Sequence, residues 1–371
     1  VLPWAGDAVS RQKPKPVRGH NMSVDHLRPG TVPKGVTLPP VESEASSESA
    51  DGTQKPDVKA GEPTGIVLDA GMDFNLLGAV GTRSGGKHED AQVTFRVSLD
   101  GEEWSEWTTL TLEEAPGDIS ARRLVSDPCW VGEARYVQFS ADGPVKDLEL
   151  SFVNSLGESG VADRVADALG GALATVQGLW GSDPAGAMTT KPRIVTRSQW
   201  GANESLRRYD PNYAPVKMAF VHHTVSGNSY SRSQGPALVR AMYYYHVKGA
   251  GFYDIGYNFL VDRYGTIYEG RYGGIAKGVV GAQTYGFNTG STGVALIGTH
   301  TSASPSSAAL TSLKKLLAWK LDVHHVNPTS YASMQCGSSS KYKAGQTVKL
   351  PVISGHRHAN YTTCPGGALY N

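Results

Sequence analysis

The stretch KMAFVHHT, Lys217–Thr224, decides how the C-terminal half is read: an apolar run that ends in two adjacent histidines. Four to six apolar residues bounded by polar ones read as a buried strand, and alternation of side chains along it sends His222 and His223 to opposite faces. Working outward, ALVRAMYYYHV carries Leu238, Met242, Tyr245 and His246 at helical spacing. YNFLVDRYGTIYEGR reads as a hairpin turning at Arg263, Tyr264 and Gly265, and TGVALIGT as a second buried strand. From Ser306 to about His324, Leu310, Leu313, Leu317 and Leu321 form the inner stripe of a long amphipathic helix. Strands alternating with helices predict an α/β domain over 193–371, a mixed central sheet flanked by helices.

Upstream the period changes to two. QVTFRVSL sets Val93, Phe95, Val97 and Leu99 on one face, and KDLELSFV repeats the pattern with Leu148, Leu150 and Phe152. Further candidates are GIVLDA, NLLGAVGT, EWTTLTL and ARYVQFSA, with short Gly, Asp and Pro turns between them. This predicts an all-β, sandwich-like domain over 63–156. Residues 1–62 are polar and rich in turn formers, so a disordered or extended leader is expected. Residues 157–192 read as a linker with a helix, since Val161, Val165, Leu169, Leu173 and Val176 recur every three or four positions.

A chain of 371 residues exceeds what one core usually supports, and 39% hydrophobic with 19% charged residues is a globular composition. No apolar run approaches a membrane span. The net charge of +1 hides an asymmetry. Residues 65–160 hold 7 basic and 17 acidic side chains, whereas 190–371 hold 19 basic and 6 acidic. A basic half suits an anionic polymer, such as nucleic acid, wall teichoic acid or peptide carboxylates, or is simply a solvated face. The basic residues form no run and no nucleic-acid motif, so no nucleic-acid partner is expected.

Three histidine settings stand out: His222-His223, His246 on its helix, and GHRH at 355–358, eight residues before Cys364. Two imidazoles and one thiolate leave a fourth zinc position open for water, which is what a hydrolytic centre needs. His222 and His356 are 134 positions apart, and no compact CxxC or HExxH is present, so spacing by itself leaves them ordinary histidines.

Five blocks in order, RSQWGA (197–202), FVHHT (220–224), DIGYNFLVDRYGTIYEGR (254–271), TGVALIG (292–298) and GHRHANYTTCPGG (355–367), resemble the type-2 N-acetylmuramoyl-L-alanine amidases and peptidoglycan recognition proteins. Secreted actinobacterial members, with an N-terminal β-rich domain and a WSxW stretch like Trp104–Trp107, are the nearest in pattern. The resemblance implies a Zn2+ cofactor held by His222, His356 and Cys364. It gives Tyr257 and Thr362 catalytic positions, and His246, His223 and Arg271 places in the substrate cleft. The implied reaction is hydrolysis of the amide between the muramic-acid lactyl group and L-alanine. The implied partner is a glycan strand with its stem peptide, with other anionic wall polymers also suited. An extracellular, cell-envelope location follows.

Each residue also has a plainer role open to it: Tyr257 in the sheet core, His223 as a structural residue, Thr362 as a turn cap. His358 departs from the family, where an aspartate commonly follows GHR. With Cys364 assigned to metal, Cys129 and Cys336 form an inter-domain disulfide or remain two buried thiols. Non-catalytic recognition members usually lack the Cys364 thiolate, which separates an enzyme from the rival expectation, a peptidoglycan-binding recognition module.

Overall fold

A computed structural model describes residues 14–27, 32–37, 65–85, 91–115, 122–157 and 189–371 of the protein. The expected linker helix lies outside the described residues. Seven N-terminal strands form one sheet: β1 (Arg18–Ser23), β2 (Ile66–Arg83), β3 (Ala91–Ser98), β4 (Thr108–Glu114), β5 (Arg123–Ser126), β6 (Cys129–Asp142) and β7 (Val145–Asn154). Their order is β1-β7-β2-β5-β4-β3-β6, every pairing is antiparallel, and β2 also pairs with β6. The sheet therefore curls until β6 meets the N-terminal part of β2. Bulges between Asp69 and Phe74 and between Phe74 and Leu76 bend the 18-residue strand enough to allow it. The β-rich region is as expected, but its strands form one curled sheet rather than two stacked ones. β1, inside the stretch read as a leader, is extended and fully paired with β7, because β7 otherwise ends the sheet with open backbone groups.

The C-terminal sheet contains β8 (Ile194–Val195), β9 (Met218–His223), β10 (Phe259–Val261), β11 (Ile267–Glu269), β12 (Ser291–Leu296) and, after the β13–β14 arm (Tyr331–Gln335, Thr347–Pro351), β15 (Ile353–Gly355). The order β15-β9-β12-β10-β11-β8 is mixed: the first four strands are parallel and β11 runs against β10. Helix α1 (Gly235–Tyr244) starts with a proline in its first turn and passes into a π-helical turn, Tyr245–Ala250. Helix α2 (Ser307–Val323) is capped by Ser306, whose hydroxyl accepts from the Ala309 amide at 3.1 Å. The hairpin turns where expected: Asp262 accepts from the amides of Tyr264 and Thr266, and Gly265 takes φ +78°.

Two cores cover the two faces of this sheet. Phe259, Val261, Val294 and Leu296 pack with Leu313, Leu316 and Leu317 of α2. Leu260, Ala295 and Ile297 face α1 and, beyond it, Leu76, Val80, Val125, Trp130 and Val153 of the N-terminal sheet. That sheet keeps a separate core of its own around Leu77, Phe95, Phe139 and Phe152. Adjacent residues such as Leu76 and Leu77 thus serve different cores. Tyr245 fixes the junction, its one hydroxyl proton shared between the carbonyls of Ala79 and Ser126 at 3.1 and 3.0 Å. Gly78 makes room for it, since a Cβ there would lie 2.1 Å from the Tyr245 ring. Cys129 and Cys336 are both free and buried, one in the N-terminal core and one in the α2 core, so no bridge joins them.

Candidate metal centre

β9 and β15 are parallel neighbours, with Gly355 opposite Val221, so the residues that follow at their carboxyl ends come together. His222 is the penultimate residue of β9 and His356 the first beyond β15; their rings are 4.6 Å apart. Cys364 arrives from the following loop with its Sγ 3.7 Å from His222 Nδ1. One donor atom from each of the three residues lies within 4.8 Å of the other two, and all three residues are buried. Thr284 Oγ1 stands 3.3 Å from His222 Nε2, so the far side of that ring has its own partner and Nδ1 is left facing the thiol.

Electrostatics at the cluster follow from burial. Desolvation, then His356 and His223, push the His222 imidazolium far below its ordinary range, and His356 is lowered to about 4. Burial also drives the Cys364 thiol far up, with nearby Asp127 and Glu113 adding to it. Two neutral imidazoles with lone pairs beside a thiol on which burial and the two carboxylates outweigh the positive Arg357 fit a cation binder, and one sulfur with two nitrogens is a zinc-type donor set.

Tyr257 stands beside the cluster, its ring 5.4 Å from that of His222. Its backbone is held by the RSQWGA block. Arg197 is buried and donates to Asp254 Oδ1 at 3.1 Å, while Asp254 accepts from the amides of Ile255 and Tyr272. The DIGYN turn is thereby clamped three residues before Tyr257. The phenol donates to Asp127 Oδ1 at 2.6 Å. Burial, then Asp127, raises the Tyr257 pKa well above its ordinary value, so the hydroxyl keeps its proton.

His222, His246, Tyr257 and His356 line one cavity of about 700 Å³. His223, Thr362 and Cys364 line another of about 570 Å³. Of the expected site residues, His246 therefore reaches the first cavity; its ring stacks on Phe252 at 5.1 Å and burial lowers its pKa to about 3. His223 opens on the second, its Nδ1 accepting from the His300 amide. Thr362 is separated from Tyr257: it lines the second cavity, and its hydroxyl accepts from the Cys364 amide at 3.1 Å, which is a turn cap. Arg271 lines neither cavity, and its amide donates to the Tyr257 carbonyl.

Glu113 and Asp127, which the sequence reading passed over, line both cavities. Glu113 Oε2 is 3.8 Å from His356 Nδ1. Burial and the neighbouring Glu113 raise the Asp127 carboxyl to about 6. Only the S-D-P turn and the acidic end of a strand marked these positions in the sequence.

A sheet with a buried His/His/Cys cluster at the ends of parallel strands defines the class. Through residues 212–367 the chain belongs to the Amidase_2 family, described as N-acetylmuramoyl-L-alanine amidase. Among similar proteins, peptidoglycan-recognition protein SA of Drosophila melanogaster is 38% identical over 127 residues, which are 34% of this chain and 60% of that protein. The N-acetylmuramoyl-L-alanine amidase of Homo sapiens is 32% identical over 182 residues, 48% of this chain and 27% of that protein. The solved structure of peptidoglycan recognition protein-LE in complex with tracheal cytotoxin is 33% identical, covers 48% of this chain and 89% of that one, and has a TM-score of 0.37. The matched segment thus spans less than two thirds of the two curated relatives. No helix among the described residues is long and apolar enough to cross a membrane.

Proposed function

We propose that the chain is a zinc-dependent N-acetylmuramoyl-L-alanine amidase of the cell envelope, with 193–371 as the amidase domain and 63–156 as a β-rich domain packed against it. The observation that carries the reading is the buried convergence of His222, His356 and Cys364 beside Tyr257 and an open cavity. The three side chains would hold the zinc ion. When bound, zinc supplies Lewis-acid polarisation of the amide carbonyl and acidification of water.

The chain's own residues do the rest. The first cavity takes the stem-peptide side of the substrate, with neutral His246 in its wall. Tyr257, protonated and clamped through the Arg197–Asp254 network, is a donor for the carbonyl oxygen as negative charge develops on it. The relatives named as recognition proteins support a second reading, binding of peptidoglycan without cleavage.

Zinc content and release of L-alanine-linked stem peptides from purified sacculi, compared between wild type and Cys364→Ala, test the proposal. About one zinc per chain and peptide release, both lost in the variant, are expected. Zinc-free wild type that binds sacculi without releasing peptide would replace the amidase with the recognition reading.

A further inference from the structure

The two carboxylates of the N-terminal sheet stand where substrate has to be. Asp127 accepts the single phenolic proton of Tyr257 at 2.6 Å. A proton already donated to a carboxylate is not available to a carbonyl oxygen, so Asp127 and a substrate oxyanion compete for the same donor. Glu113 Oε2 lies 3.8 Å from His356 Nδ1, about the 3.7 Å that separates Cys364 Sγ from His222 Nδ1. A carboxyl oxygen thus lies beside the donor cluster at the spacing of its own members. Both acids line both cavities, so they stand between the Tyr257 side and the Cys364 side of one cluster.

Chance proximity does not explain the placement. The residues around Asp127 are pinned to the amidase region on either side. Ser126 O accepts from Tyr245, Pro128 O from Ser226 Oγ at 3.1 Å, and Trp130 O from the Gly227 amide at 3.0 Å. The backbone that carries Asp127 is thereby held against the amidase region. It also sits beside a second carboxylate with much of its water removed, an unfavourable arrangement that packing around it has to hold in place.

We propose that the N-terminal β-rich region is an inhibitory element of the amidase, which presents Asp127 and Glu113 as oxyanion mimics to Tyr257 and the donor cluster and bars the substrate carbonyl from that end of the cleft. This rests on the amidase reading of that cluster. Opening the cleft requires the Asp127 loop and the end of β4 to leave the site together, because the loop is tied to its neighbours.

The test uses the full chain carrying Glu113→Ala with Asp127→Ala, and a second pair, Glu113→Gln with Asp127→Asn, that keeps side-chain volume. Two quantities are read: affinity for a soluble muramyl-peptide fragment by calorimetry, and peptide release from sacculi. At least a tenfold gain in fragment affinity in the alanine pair, a smaller gain in the amide pair, and faster release in both are expected. Tighter fragment binding without release in any form would keep the carboxylates as a block on fragment binding and overturn the amidase reading. Unchanged affinity and release would overturn the inhibitory role. So would an active wild type whose activity falls in both pairs, because the carboxylates would then be serving the reaction.

Discussion

His246 offers a direct reading of the buried environment, through acid. Its ring is buried, stacked on Phe252, and its Nδ1 accepts from the Gly256 amide at 3.4 Å. Desolvation, helped by the positive Arg271, lowers its pKa from 6.5 to about 3. Between those two values the unfolded chain binds a proton that the native chain refuses, so stability rises with pH across this window and the contribution is fully recovered above 6.5. At about 1.4 kcal/mol per unit, the whole shift is worth roughly 5 kcal/mol, of which about 2 kcal/mol is lost between pH 7.5 and pH 5. Asn at this position keeps an acceptor for the Gly256 amide and does not titrate. Urea unfolding of metal-free wild type and His246→Asn at pH 7.5 and pH 5 isolates the effect. The variant loses packing on Phe252 at both pH values, but its stability should fall by about 2 kcal/mol less between them. His223 and His356, both lowered to about 4, act in the same direction, while Asp127, raised to about 6, acts in the opposite one. All three are present in both proteins and cancel in the comparison. An identical pH dependence in the two proteins would refute the claim that His246 is held neutral by burial.

Three further outcomes follow from the site and the junction. Tyr257→Phe should lower the rate of peptide release roughly 100- to 1,000-fold with zinc content unchanged, the loss typical of one oxyanion donor. Gly78→Ala forces a methyl into the Tyr245 ring and should cost about 1 to 3 kcal/mol in thermal unfolding, whereas Tyr245→Phe, losing only its donated hydrogen bonds, should cost about 1 kcal/mol. Alkylation of metal-free protein under non-reducing conditions should label none of the three thiols quickly in the native state and all three after denaturation; a single label on denatured protein would mean that Cys129 and Cys336 are bridged.

Much of the C-terminal half was legible because local pattern and global fold agree there. Alternation in KMAFVHHT correctly predicted that His222 and His223 would serve different surroundings, and the hairpin and both helices lie where periodicity put them. The His/His/Cys convergence was not legible from spacing. It depends on β15 pairing with β9 in parallel across more than a hundred residues, which only the resemblance anticipated. Thr362 shows what the motif alone does not place: its hydroxyl accepts from the Cys364 amide, keeps its own proton to donate, and opens on the cavity that Cys364 lines.

The junction left one signal that alternation alone does not produce. In β3 burial alternates from Ala91 to Val97, as in a strand with one covered face. In β2 the run from Phe74 to Gly81 is buried at all eight positions, and its sequence, FNLLGAVG, has no polar partner face. An antiparallel strand in a small β domain needs such a run only if something covers its second face. Here α1 and its π-helical extension do so, with Tyr245 seated over Gly78. The same docking brings Asp127 and Glu113 onto the His/His/Cys cluster, so the continuous apolar character of β2 and the two carboxylates in the cleft are consequences of one interface. Separating the sheets would expose the Leu76–Val80 face to water, and this sets the cohesion that any opening of the cleft must overcome.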